Sequence, residues 1–429
     1  MIWLMVLILL LLALMGAPLF AVILAAAAVG YVSLGIDLSV LHIDIYEMSN
    51  SVVLMALPLF TYAGFLLSES KTADRMLRLS QAAFGWMPGG MAFVGLIACA
   101  VFTALTGGSG VTIVALGGLL LPALLKGNYP RRFSMGLITT SGSLGLLLVP
   151  SIPLLIYGII AQQMSQQLDM PSVQITDLYL AGIMPALLMI VLLYVYCLWA
   201  TRKAPIPRQG FRWSELRAAA WQARWELPLP FVVLGGIFSG LLVISEAAAI
   251  TALYVTIVEV FVYREVGIRR LPAVMRESMV MVGGILLILA VAMSFTGYLV
   301  YAGVPEGLFA FMQEHVSSKL MFLILLNIVL LILGAVLDIF AALVIMVPLI
   351  LPVAIGYGID PVHLGIIFVA NMQIGYFTPP VGMNLFIASY RFKQPITTLY
   401  SATLPFMAVL IIALLLITYV PALSLYFVR

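Results

Sequence analysis

The sequence predicts an all-α polytopic membrane protein whose two halves repeat in inverted orientation, each carrying a re-entrant helical hairpin and a discontinuous helix. Three observations carry this prediction. The 429 residues are 64% hydrophobic and 9% charged, with a mean hydropathy of +1.19, far from the usual globular mix of about half apolar and a quarter charged. Lys and Arg fall in clusters that a single topology explains. Glycine and proline interrupt the apolar segments at places that recur at a fixed spacing.

The composition alone removes several classes. At roughly 20 apolar residues per crossing the chain could supply about a dozen membrane passes. Twenty basic against seventeen acidic residues leave +3, too small a surplus for a nucleic-acid partner. The apolar start, Met1 to Met15, lacks a basic flank and an Ala-x-Ala site and reads as a retained membrane segment. Cys99 and Cys197 each lie inside an apolar run and read as packing residues, excluding a disulfide framework or a multi-cysteine metal site.

Five clusters hold 18 of the 20 basic residues: Lys71, Arg75 and Arg78; Lys126, Arg131 and Arg132; the six from Arg202 to Arg224; the four from Arg264 to Arg276; and Arg391 with Lys393. Acids fill the gaps between them, at Asp37, Asp44 and Glu47, at Asp169 and Asp177, at Glu306 and Glu314, and at Asp360. The positive-inside rule puts the basic clusters in the cytoplasm and the acids outside. Residues 88–125 then enter from the cytoplasm and return to it, a hairpin, and 317–355 do the same from the outer side. Residues 131–163 cross once through Gly142, Gly145, Pro150 and Pro153, and 361–390 cross once through Gly375, Pro379, Pro380 and Gly382. Proline lacks the helical donor and obstructs the preceding turn, so both are predicted to be broken helices.

An offset of 229 residues carries Gly136 onto Gly365, Pro150 onto Pro379, Ser109 onto Asp338 and residue 200 onto the C-terminus. The halves are 1–200 and 230–429, joined by a basic linker, 201–229, in which Trp213, Trp221 and Trp225 alternate with Arg212, Arg217 and Arg224. That pattern suits a cytoplasmic amphipathic helix at the lipid boundary. Residues 2–35 are too long for one crossing, so a turn near Gly16 to Pro18 is predicted, giving an odd number of crossings per half and both termini outside. Acidic 35–49 pairs with basic 264–278, and basic 68–87 with acidic 297–316, as amphipathic arms. Inverted repeats with discontinuous helices are the architecture of secondary transporters; the bland alternative is a polytopic bundle with scattered glycine and proline.

Chemistry concentrates at the interruptions. The turn Thr106-Gly107-Gly108-Ser109-Gly110, with Thr112, leaves backbone groups unpaired at membrane depth and offers only oxygen ligands, which suits a hard monovalent cation such as sodium. Thr139 to Gly145, with Ser143, and Leu148 to Ser151, with Pro150, form the facing break, whose helix N-terminus favours an anionic substrate group. Packing through small residues is the alternative. In the second half the equivalents are Asp338 and the stretch with Asn371, Gln373, Gly375, Thr378, Pro379 and Asn384. An ionisable residue in an apolar hairpin is a functional candidate because burying it is expensive. Ser109, Thr112, Ser143, Ser151 and Asn384 are the candidate substrate contacts. Glu246 is expected to cap a helix starting near Ser245, and Glu259 to pair near Arg264. Gly108-Ser109-Gly110 also resembles a serine-nucleophile turn, the remote alternative of an intramembrane hydrolase. His42, His315 and His363 are poorly placed to act as its base. No HExxH motif or phosphate loop occurs, which removes direct ATP coupling.

These residues resemble a known family. Phe133 to Gly145, Pro150-Ser-Ile-Pro153 with Tyr157-Gly158, Ser245-Glu-Ala-Ala-Ala249 and Gly375 to Asn384 are similar to the large membrane subunit of tripartite ATP-independent periplasmic (TRAP) transporters, from near Met1 to Tyr419. Val149-Pro150 departs from the double proline common in that family. The resemblance implies sodium-coupled import of an organic acid, such as a C4-dicarboxylate, a sialic acid or another sugar acid, across a bacterial inner membrane. It implies an elevator mechanism, no covalent cofactor, and two partners: a small four-helix membrane subunit and a periplasmic substrate-binding protein. Thr106, Gly110, Gly145, Leu148 and Pro150 would form one sodium site, and Asp338, Gln373, Gly375 and Thr378 would form or support another. The rival reading is a stand-alone ion-coupled anion transporter on a related scaffold.

Overall fold

The computed structural model describes residues 8–9, 11–12, 15–49, 52–168, 170–206, 210–316 and 318–428. The expectations for Asp169, Arg208 and Arg429, for most of residues 1–14 and for the Glu47 side chain fall outside the described residues. Among the described residues every regular element is helical. Among the described residues, nine stretches of 18 or more are long and apolar enough to cross a membrane, and shorter apolar helices accompany them. The chain is a multi-pass membrane protein.

The chain turns at Gly16, whose φ is +86°, where the turn between residues 2 and 35 is predicted. Then come α1 (Leu19–Ser33), α2 (Ser39–Ser49) and α3 (Ala56–Glu69). The Asp37 carboxylate accepts the Ser39 amide at 2.7 Å before α2. The amphipathic arm α4 (Thr72–Phe84) leads into the first hairpin, α5 (Gly90–Thr106) and α6 (Ser109–Lys126). The first broken helix is α7 (Arg131–Ser141), a 3-10 turn at Leu144–Leu147 and α8 (Ile152–Leu168), followed by α9 (Ile175–Thr201).

The linker folds as α10 (Trp213–Gln222) and leads to α11 (Pro228–Phe238) and α12 (Ile244–Thr256), which runs into a π-helical segment at Ile257–Val262. Glu246 accepts the Val243 amide at 3.0 Å and closes the start of α12, as expected. After α13 (Leu271–Tyr301) and the arm α14 (Val304–His315) come the second hairpin, α15 (Lys319–Val336) and α16 (Ile339–Gly356). The second broken helix is α17 (Pro361–Gly375) and α18 (Met383–Phe392), and α19 (Ile396–Tyr419) and α20 (Ala422–Leu425) complete the chain.

Helix bounds recur at the offset of 229 through the hairpins: Gly90 corresponds to Lys319, the first residue of α15. Further on the spacing shortens. α18 has 10 residues where α8 has 17, so the helix-interior prolines Pro185 of α9 and Pro405 of α19 lie 220 residues apart. The basic stretch 264–278 is not a separate arm. Residues 264–270 form a turn with Arg264 at φ +57°, and the rest belongs to α13, one helix of 31 residues, because no breaker follows Pro272 in its first turn.

The elements assemble into two bundles, each drawing on both halves. In one, α3 packs on α12 while α13 lies along α1, α2 and α3. Tyr31 ties this bundle together by donating to the Asp44 carboxylate at 2.9 Å, with the Ser294 carbonyl at 3.1 Å. In the other, α15 packs on α17, α19 on α7, α16 on α8 and α18 on α6. Arm α4 lies between them, against α5 and against α10 of the linker.

Candidate functional site

The first hairpin turns on Gly107 and Gly108. Gly107 has φ +70°, a conformation that glycine adopts without strain. No side chain caps α6, whose N-cap is Gly108. Around this turn the hydroxyls are buried. Thr103 and Thr112 share a hydrogen bond of 2.6 Å, and Thr103 Oγ1 also reaches the Gly142 carbonyl at 2.8 Å. Thr112 lies 3.2 Å from the Gly108 carbonyl, and Thr106 donates to Phe102 one helical turn earlier at 2.8 Å. Gly145 presses on the hairpin so closely that a Cβ there would sit 2.2 Å from the Ala100 carbonyl. Ser151 donates to the Leu146 carbonyl and accepts the Leu154 amide at 3.2 Å, closing the N-terminus of α8.

The second hairpin turns without a positive φ. Asp338 is extended, with ψ 147°, and caps α16 by accepting the Phe340 amide at 3.0 Å. Its other carboxylate oxygen accepts from Tyr376 Oη at 3.1 Å, and the Ile339 amide donates to that same Oη at 3.1 Å. Gly334 and Gly375 meet backbone to backbone: a Cβ on Gly375 would lie 2.5 Å from Gly334 Cα. Across the break, the Gly382 amide donates to the Ala335 carbonyl and the Asn384 amide to the Tyr376 carbonyl, both at 2.9 Å.

The break at 376–384 touches both hairpin turns. Tyr376 meets Asp338, and Asn384 accepts from Ser109 Oγ at 2.9 Å. The two broken helices also meet, where Ser143 Oγ donates to the Gln373 carbonyl at 3.1 Å. Three buried amide atoms in this region have no hydrogen-bond partner: Asn371 Oδ1, Gln373 Oε1 and Asn384 Nδ2. Asn371 Nδ2 is held by Asn327 Oδ1 at 2.8 Å, and Gln373 Nε2 lies against Met189 Sδ at 2.6 Å. Orphaned buried acceptors are the atoms a bound cation takes, and an orphaned donor suits an anion.

Of the sequence-predicted residues, Ser109 and Asn384 come together, as do Asp338 and the break through Tyr376. Thr112, Ser143 and Ser151 spend their hydroxyls on neighbouring protein oxygens. Gly110 packs under Ile387 of α18, and Thr378 donates back to the Ile374 carbonyl at 2.9 Å beside the cis Pro379-Pro380 bond. The Gly145 carbonyl accepts the Leu148 amide at 3.0 Å. The Leu148 side chain instead lines an apolar cleft, next to the cis bond to Pro150.

Tyr376 carries no local sequence signal for its contact with Asp338, and Glu259 pairs elsewhere than expected. Its partner is Arg75 of α4, 3.3 Å away, not a residue near Arg264, whose Nε bonds the Phe261 carbonyl. Arg75 also pairs with Glu226 and, at 2.6 Å, with Glu265. It packs 4.0 Å from the ring centroid of Tyr263, which donates to Glu226 at 3.0 Å. Arg75 is 9% exposed, Glu226 2% and Glu259 0%. Burial pulls the Arg75 pKa down, but the surrounding carboxylates outweigh it and hold it above the ordinary arginine value. Nothing in the local sequence signals these pairings, since the partners lie 151 to 190 residues apart.

The sequence matches the family described as "Tripartite ATP-independent periplasmic transporter, DctM component" over residues 4–423. It is 36% identical over 388 residues to the C4-dicarboxylate TRAP transporter large permease protein DctM of Pseudomonas aeruginosa, covering 90% of this chain and 88% of that one. It is 34% identical over 386 residues to the isethionate TRAP transporter permease protein DctMQ of Oleidesulfovibrio alaskensis, covering 88% of this chain and 58% of that one. Among solved structures, the YdaH transporter of Alcanivorax borkumensis is similar in fold, with a TM-score of 0.59 at 20% identity over 88% of this chain and 86% of that one. The chain therefore belongs to the DctM family, as the large permease component of a TRAP transporter, and is a transporter subunit rather than an enzyme.

Proposed function

We propose that this permease imports an organic acid together with sodium ions, by an elevator movement in which the α5–α9 and α15–α20 bundle slides against the α1–α3 and α12–α13 bundle. The observation that carries the reading is the convergence of both hairpin turns on residues 376–384, beside the unpaired atoms Asn371 Oδ1, Gln373 Oε1 and Asn384 Nδ2. Sodium is held by oxygen atoms: in the first site those of Thr106, Gly107, Ser109, Gly110, Gly145, Leu148 and Pro150, and in the second those of Asp338, Asn371, Gln373, Gly375, Thr378 and Pro379. The substrate carboxylate takes the uncapped N-terminus of α6, where the helix dipole and free amides favour negative charge, with Ser109 and Asn384 beside it. Thr112, Ser143 and Ser151 hold the surrounding backbone.

The two halves are inverted repeats, and both termini are periplasmic in a bacterial inner membrane. The permease works with a small four-helix membrane subunit, which the name of the longer DctMQ relative supports, and with a periplasmic binding protein that delivers the acid. The relatives' names, C4-dicarboxylate and isethionate, share an anionic head and support an organic anion as cargo. The test is uptake in liposomes holding the permease with both partners. Uptake should follow an imposed sodium gradient and fall to background in Asp338→Ala. Uptake indifferent to sodium would sink the coupling, and full activity of the variant would remove Asp338 from the site.

A further inference from the structure

A cleft of about 550 Å³ lies between arm α4, hairpin helix α5, the Leu148-Val149 break, α9 and α11. Its walls include Leu79, Ala83, Val101, Leu148, Ile183 and Leu234, and among the described residues the only polar ones on it are Ser80 and Glu226. The Glu226 carboxylate is already taken by Arg75 and Tyr263. Water in such a space finds almost no hydrogen-bond partners, and leaving it void forfeits dispersion contacts along every wall. The volume falls within the range of roughly 300–1,000 Å³ that encloses a small ligand.

What fills it follows from where it lies. α4 is amphipathic, with Leu79, Ala83 and Phe84 turned to the cleft while Arg78 on its other side bonds Glu215 and Gln222. The linker above carries the exposed aromatic rings of Trp213 and Trp221, and the Arg224 guanidinium lies 4.6 Å from the Trp221 ring centroid. Tryptophan and arginine together mark the level of lipid headgroups. Leu227 and Pro230, the next turn of the same segment, enter the cleft. The cavity therefore sits one helical turn below the headgroup layer, at the depth of acyl chains, and Phe231 on its rim is 73% exposed.

We propose that this cleft binds one acyl chain of a membrane phospholipid, whose headgroup lies at the level of the Arg224 guanidinium group. The chain wedges between the first hairpin and α11, adding lipid contact to the direct packing of α5 on α3, where Gly64 lies against the Thr106 backbone. This site does not depend on sodium coupling or on the identity of the imported acid.

The experiment uses the wild-type permease reconstituted in vesicles of phosphatidylethanolamine carrying a photoactivatable diazirine on one acyl chain, with labelled residues located by mass spectrometry. Label is expected on Val101, Ile183 and Leu234, as well as on outward-facing Leu253 and Ile324. Label confined to the outward-facing residues would overturn the proposal. Ala83→Phe puts a ring into the cleft and should lose the Val101 and Leu234 labels while keeping that on Ile324. Unchanged labelling at Val101 and Leu234 in this variant would equally overturn it. Because the wild-type measurement stands alone, misfolding of the variant leaves the first test intact.

Discussion

Between α5 and α6 the chain turns on Gly107 in the left-handed region and leaves α6 without a side-chain cap; between α15 and α16 it turns on extended Leu337 and Asp338, and the Asp338 carboxylate caps its own helix. The arms that precede the two hairpins differ as well. α4 is fastened by the buried cluster of Arg75 with Glu226, Glu259 and Glu265, all from beyond the first half of the chain. α14 is held by its own hairpin: Phe309 packs over Gly356 and against Tyr357, and Tyr357 donates to the Val316 carbonyl at 2.7 Å. The comparison teaches that equivalent turns carry opposite electrostatics. A helix N-terminus that already holds a carboxylate repels a second anion, whereas one closed by glycine is open to an incoming one. On this geometry the first turn can meet an anion at its amides as well as a cation at its carbonyls, whereas the second, already holding a carboxylate, suits a cation alone.

Five substitutions would break or sharpen that contrast, each read by thermal unfolding of purified protein, with uptake where stated. Arg75→Ala should have the largest effect, about 3–5 kcal/mol, because it strands carboxylates in a buried cluster; an unfolding midpoint close to wild type would mean that α4 does not depend on its charges. Gly375→Ala comes next, at about 1–3 kcal/mol, since the new methyl meets Gly334 backbone that cannot move aside. Gly107→Ala should cost about 1–2 kcal/mol from the left-handed backbone, with Ile152 Cδ1, the atom a new Cβ would meet at 2.6 Å, able to swing away. The equivalent Val336→Ala, at an exposed position without positive φ, should change little. Asp338→Ala should cost about 1 kcal/mol for the lost cap and yet abolish uptake. Loss of uptake in equal proportion to loss of folded protein would reduce Asp338 to a capping residue.

Much of the site was legible because its signals are local. Glycine with positive φ, proline without a donor and an aspartate between two apolar runs each mark their own position, so both turns and both breaks could be located without knowing what they touch. The expectation for Glu259 failed for the converse reason. Arg264 is near in sequence, but the π-helical segment at Ile257–Val262 and the turn after it direct Glu259 toward α4. The separate arm at 264–278 failed because charge in the first turns of a long helix does not end it.

By itself, then, the sequence determined that the chain lies in a membrane, where both hairpins turn and both crossing helices break, and which small and polar residues interrupt them, since hydropathy and backbone permissiveness are properties of each short stretch. Only the tertiary structure decided that Ser109 meets Asn384 across 275 positions, that Tyr376 lies between Asp338 and the Ile339 amide, and that Arg75 gathers three distant glutamates. Such pairings are set by which helix faces pack together, a property of the whole chain that no local period records.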